Sequence, residues 1–112
     1  DRILSVQSPY LIEGAASGVT VAGESGVAGS WAYQLSSPVA VVLDQYDNIY
    51  IMDATNRRIQ RWRQGGTYGV TVAASTMSNP QGIVIDPSGN LVIADSGYHR
   101  ILLFPTYCRK ST

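Results

Sequence analysis

The hydrophobic positions of this chain recur twice at one spacing. From Pro38 to Arg58 it reads PVAVVLDQYDNIYIMDATNRR, and forty-two positions later, from Pro80 to Arg100, it reads PQGIVIDPSGNLVIADSGYHR. Each copy opens with a short apolar run, residues 39–43 in the first. Its unbroken hydrophobicity predicts an inner strand covered on both faces. A polar stretch follows, Asp44 to Asn48 and then Asp86 to Asn90, with the Pro, Gly, Asn and Asp chemistry of a tight turn. A second strand is expected at 49–52 and 91–94, a second turn at 53–57 and 95–99, and a third strand at 58–62 and 100–104. Gly65-Gly66 breaks the first copy, and residues 69–73 return as a fourth strand. Four strands joined by short turns form a meander sheet, and tandem meanders of this period form the blades of a β-propeller.

The rest of the chain is placed on the same template. GAASGVTVA, from Gly14 to Ala22, matches GGTYGVTVA, from Gly65 to Ala73, and predicts the last strand of a preceding blade. Arg2-Ile3-Leu4 has the Arg-Ile start of a third strand, although the interval to Gly14 is longer than its counterpart. Gly23 to Ser37 is the largest insertion relative to the repeat. The expected organisation is therefore residues 1–36 as the last strands of a preceding blade plus a long loop, 37–79 as a complete blade, 80–106 as a blade lacking its last strand, and 107–112 as a tail.

These motifs resemble the NHL repeat. The pattern is carried by Pro38, Asp44, Asn48, Tyr50, Asp53, Asn56, Arg58 and Ile59, and again by Pro80, Asp86, Asn90, Asp95, His99, Arg100 and Ile101. The second copy has Val92 for Tyr50 and Tyr98 for Asn56. The resemblance implies an all-β fold of four-stranded blades, commonly six to a ring, and the 112 residues are too few for a closed ring in one chain. Uncovered blades expose strand edges and apolar faces. Two arrangements answer this. The chain, which starts with Asp1, is a processed or excised piece of a larger propeller, or residues 19–22 pair with residues 100–104 and three copies close a six-bladed homo-oligomer.

Composition narrows the function. Eight basic residues balance eight acidic ones, with Lys only at 110. No global field attracts nucleic acid or an acidic membrane, so neither is an expected partner. No stretch has membrane-spanning length. The Tyr- and Gly/Ser-rich composition leans toward an extracellular setting. Cys108 is the single cysteine and His99 the single histidine. They supply neither a zinc set nor a triad, and enzymes of this fold such as peptidylglycine amidating lyase draw metal-binding histidines from several blades. No catalytic residue, metal or cofactor is expected.

Asp53, Asp95, Arg58 and Arg100 recur at one spacing in both copies. An active site is needed once and a hydrogen-bonded turn in every blade, so these residues, with Asp44, Asp86 and Asn56, read as structural. Arg57, Arg58, Arg61 and Arg63 with Trp62 form the one basic and aromatic cluster. Strand alternation sends Arg58 and Trp62 one way and Arg61 and Arg63 the other, which suits a solvated outer strand better than an RNA-binding face. Binding residues are sought in Trp31 and Tyr33 on the long loop, with Arg61 and Arg63 as secondary candidates. The expected function is a non-catalytic module that binds a protein or a glycan. The alternatives are a fragment of a propeller lyase or lactonase-like hydrolase, and an RNA-binding face.

Overall fold

The Asp-to-Asn turns fold as their side chains dictate. In the computed structural model, which describes residues 2–5 and 18–105, Asp44 Oδ1 accepts the N–H groups of Tyr46 (2.8 Å) and Asn48 (3.0 Å). Its Oδ2 accepts Asn48 Nδ2 at 2.9 Å and the Tyr50 hydroxyl at 3.2 Å. Asp86 repeats the pattern with the N–H groups of Ser88 and Asn90 and with Asn90 Nδ2. Each turn needs one left-handed residue, which is Asp47 (φ 64°) in the first copy and Gly89 (φ 88°) in the second.

Among the described residues nine strands form three antiparallel sheets. The N-terminal hairpin pairs β1 (Arg2–Ser5) with β2 (Val19–Gly23). The middle sheet runs β3 (Pro38–Leu43), β4 (Ile49–Asp53), β5 (Arg58–Trp62) and β6 (Gly69–Ala74) in sequence order. The third contains β7 (Pro80–Ile85), β8 (Asn90–Asp95) and β9 (Arg100–Pro105), with a short 3-10 turn at Ser96–Tyr98. The fold is thus all-β, built of meander blades and incomplete as a propeller.

Cross-strand partners share a face, so the register sorts the side chains. One face of the middle sheet offers Val42, Tyr50, Met52 and Ile59, which pack with Met77 against Ile83, Leu91 and Ile93 of the third sheet. The opposite face offers Ile51 and Trp62, which pack with Leu35 of the long loop and Ala22 of the hairpin. Gly69 lies beneath the Trp62 ring, where a Cβ would stand 2.5 Å from ring carbons. The two apolar cores therefore lie between sheets, and each sheet is stable only as part of a stack.

Two expectations are corrected. The inner strand β3 is not covered on both faces, because Val39, Val41 and Leu43 remain exposed on the side of the N-terminal hairpin. On that face the hairpin and the long loop pack on Ile49 and Ile51 of β4 and Trp62 of β5. The pairing of residues 19–22 with residues 100–104 is also not formed within the chain, since β2 pairs with β1. The local hairpin closes a much shorter loop, which favours it entropically.

Candidate functional site

The second turn of the middle sheet grips the long loop. Asp53 is fully buried. Its Oδ1 accepts the Ser36 N–H at 2.6 Å, and its Oδ2 accepts Asn56 Nδ2 (2.9 Å) and Arg58 Nε (2.8 Å). The rest of the Arg58 guanidinium is spent on loop carbonyls: Nη1 donates to Ser30 O (3.0 Å), and Nη2 to Trp31 O (3.2 Å) and Gln34 O (3.0 Å). Asn56 Nδ2 also donates to Gly29 O at 2.9 Å. A planar donor fork suits this convergence of backbone oxygens.

The loop adds ties of its own. The Gln34 N–H donates to Trp31 O at 2.9 Å, closing a four-residue turn over residues 31–34. Gln34 is buried, receives the Trp31 N–H at its Oε1 (3.3 Å) and donates Nε2 to Glu24 (2.9 Å). Gly29 has no room for a side chain, since a Cβ would overlap the Gln34 carboxamide. The Gly69 N–H donates to Ala32 O at 2.7 Å. The outcome is a fixed backbone from which Trp31 (69% exposed) and Tyr33 (46% exposed) project into solvent.

The third sheet has the same clamp in reduced form. Burial raises the Asp95 carboxyl, but the Arg100 guanidinium and the Ser78 N–H outweigh it and hold its pKa below the usual carboxylate value. Arg100 reaches one carbonyl, Thr76 O at 2.7 Å, and its guanidinium lies 5.1 Å over the Tyr98 ring. Tyr98 stands where the middle sheet has Asn56. The residues read as structural thus sit in turns and clamps, and the repeated Asp–Arg pair is a device for holding the connection that leads into each sheet.

Arg61 and Arg63 line a separate cleft of about 190 Å³ with Tyr68 and Val70, in which neither Trp31 nor Tyr33 takes part. Arg61 is the cross-strand partner of Tyr50, whose hydroxyl pKa is raised by burial and by the Asp44 carboxylate while Arg61 opposes the shift. The strand that carries them is not a solvated outer strand: β5 lies between β4 and β6 with Ile59, Gln60 and Trp62 buried. A larger cleft of about 530 Å³ separates the β3–β4 and β7–β8 turns, walled by Leu43, Tyr46, Tyr50, Ile85 and Pro87. Its two carboxylates are already engaged by turn donors. Burial raises Asp44, yet the Asn48, Tyr46 and Tyr50 donors bring it below the usual value, and Asp86 is lowered foremost by the Asn90 N–H.

His99 is an exposed left-handed residue (φ 54°) beside Asp95 and Arg100. Cys108 lies outside the described residues. Among the described residues no group of three or more His, Cys, Asp or Glu is placed to hold a metal ion. Among the described residues no helix is long and apolar enough to cross a membrane.

Sequence reasoning marked Trp31 and Tyr33 but missed the role of Arg58 in fixing them. A signal was present: the copy that follows the long insertion has Asn56 beside its Arg, whereas the copy that follows a short connection has Tyr98. Residues 77–104, which span the third sheet to Phe104, match the family model of the NHL repeat. No curated protein matches the chain significantly.

Proposed function

We propose, on the premise that the chain carries NHL-type propeller blades, that it is a non-catalytic module that binds a protein partner through the turn at residues 31–34. The observation that carries this reading is the pairing of two exposed aromatic side chains with a backbone immobilised from both sides. Trp and Tyr supply large contact areas with few rotors, and a pre-ordered backbone lowers the entropic cost of binding. NHL repeats commonly mediate protein interactions, which supports a protein over a glycan. The repeated Asp–Arg pairs support a non-catalytic role, because their hydrogen-bonding capacity is committed to the connections they hold. The pairing of Arg61 across the ladder with Tyr50, inside the sheet, speaks against an RNA-binding stripe.

The test is a binding screen of the 112-residue chain against arrayed extracellular proteins, glycans and single-stranded RNA. A protein ligand is expected whose affinity falls at least about tenfold in Trp31→Ala and little in Arg63→Ala. Binding that survives the Trp31→Ala, Tyr33→Ala double variant, or binding to glycan or RNA alone, overturns the proposal.

A further inference from the structure

The third sheet is unfinished among the described residues. Its counterpart in the middle sheet, β5, is paired on both sides, whereas β9 is paired only with β8. The face of this sheet turned away from the middle sheet is apolar, with Val84, Ile101 and Leu103 exposed by 56%, 68% and 58%. At the other end of the stack Val39, Val41 and Leu43 are uncovered. Among the described residues one edge and two apolar faces are left without partners, one face on the third sheet and one on β3 of the middle sheet.

The N-terminal hairpin shows what fits the edge. In β5–β6 the partners are Arg58↔Ala74, Ile59↔Ala73, Gln60↔Thr71 and Arg61↔Val70, with an irregularity between Ile59 and Gln60. In β1–β2 they are Arg2↔Gly23, Ile3↔Ala22, Leu4↔Thr20 and Ser5↔Val19, with the irregularity between Ile3 and Leu4. The two ladders coincide residue for residue, including the bulge. Both closing strands carry Gly-Val-Thr-Val-Ala, at 18–22 and 69–73. The strand on which β2 docks begins Arg2-Ile3-Leu4, and β9 begins Arg100-Ile101-Leu102. Outside the middle sheet, the described residues therefore hold one closing strand, β2, and two versions of its docking strand, β1 and β9. The version in use, β1, has four residues in a two-stranded sheet, and the unused one, β9, has six in an unbroken ladder with β8. An isolated two-stranded hairpin is marginal, while a strand added to an existing sheet joins a formed template.

We propose that copies of this chain associate head to tail by strand exchange, β9 of one copy taking the place of β1 beside β2 of the next. The expected register is Arg100, Ile101, Leu102 and Leu103 against Gly23, Ala22, Thr20 and Val19 of the next copy. The exchange completes the third sheet with a fourth strand. Ile101 then occupies the place of Ile3, which packs on the Ile51–Trp62 core. The strands behind it, β8 and β7, extend over Val39, Val41 and Leu43. One movement thus satisfies the edge and both faces. The contact is heterologous, so it repeats from copy to copy, closing a ring where its rotation allows and running on as a filament where it does not.

The test uses the whole chain with Cys108→Ser. Light scattering from low to high concentration is expected to give a mass of two or more chains. The Leu4→Cys, Thr20→Cys variant, oxidised, ties β1 to β2 and is expected to be monomeric with an unchanged circular dichroism spectrum. Mixing a Thr20→Cys chain with a Leu102→Cys chain is expected to give an interchain disulfide. A monomer at every concentration overturns the proposal. So does an assembly, ordered or polydisperse, whose mass the Leu4–Thr20 tie leaves unchanged.

Discussion

Ile59 and Ile101 are the same residue at the same repeat position, yet Ile59 is fully buried and Ile101 is 68% exposed. The middle sheet has a neighbour on that face, and the third sheet has none among the described residues. Val42 and Val84 differ in the same sense, Val84 being more than half exposed. In a stack of repeats, burial belongs to the interface and not to the residue, so one motif is core in one copy and adhesive surface in the next. The clamps differ in a parallel way. Arg58, 13% exposed, serves three loop carbonyls and Arg100, 43% exposed, serves one.

The sharpest way to break this comparison is to truncate both isoleucines in the chain held monomeric by the Leu4–Thr20 tie. Ile59→Ala is expected to cost about 3 kcal/mol in urea unfolding, through lost burial and the cavity left behind. Ile101→Ala should stay within about 0.5 kcal/mol. Equal costs would show that the outer face of the third sheet is covered even in the monomer.

A second pair of variants compares the clamps. Arg58→Lys keeps the charge but loses the fork, and should cost about 1–2 kcal/mol while speeding amide exchange of Ser36 and Gln34. Arg100→Lys should cost less than about 1 kcal/mol, as its guanidinium is more exposed and has one carbonyl partner. Unchanged exchange at Gln34 in Arg58→Lys would mean that the loop holds its own shape without the clamp.

The smallest effect separates the sheets by pH. Asp44, Asp86 and Asp95 have lowered folded pKa values, so their stabilisation is present above the unfolded value of about 4 and lost as pH falls through the folded values. This acid limb belongs to both copies. Tyr50 has a raised folded pKa, so its contribution is present below about pH 10 and lost as pH rises through the folded value. Val92 replaces it in the third sheet. Tyr50→Phe should therefore flatten the alkaline limb of a melting-temperature profile and leave the acid limb in place; an alkaline limb that persists would assign it to other groups.

Much of the fold was legible because turns are written in side chains. The Asp44 and Asp86 turns, the strand order and the Gly-Val-Thr-Val-Ala match needed only local chemistry and a period. The exposure of β3 was not legible, since its apolar run describes a strand meant for two neighbours and cannot say whether both are present. At the site, Trp31 and Tyr33 stood out as large aromatics in an insertion. The Arg58 grip did not, because its acceptors at Ser30, Trp31 and Gln34 are backbone oxygens that every residue carries.

That indifference has a use. The clamp holds the loop by its main chain, so the side chains at 31–33 are free to change without loosening their support. The middle sheet is in effect a mount for interchangeable cargo, and randomising those three positions would yield a library of rigid binding surfaces on one unchanged frame.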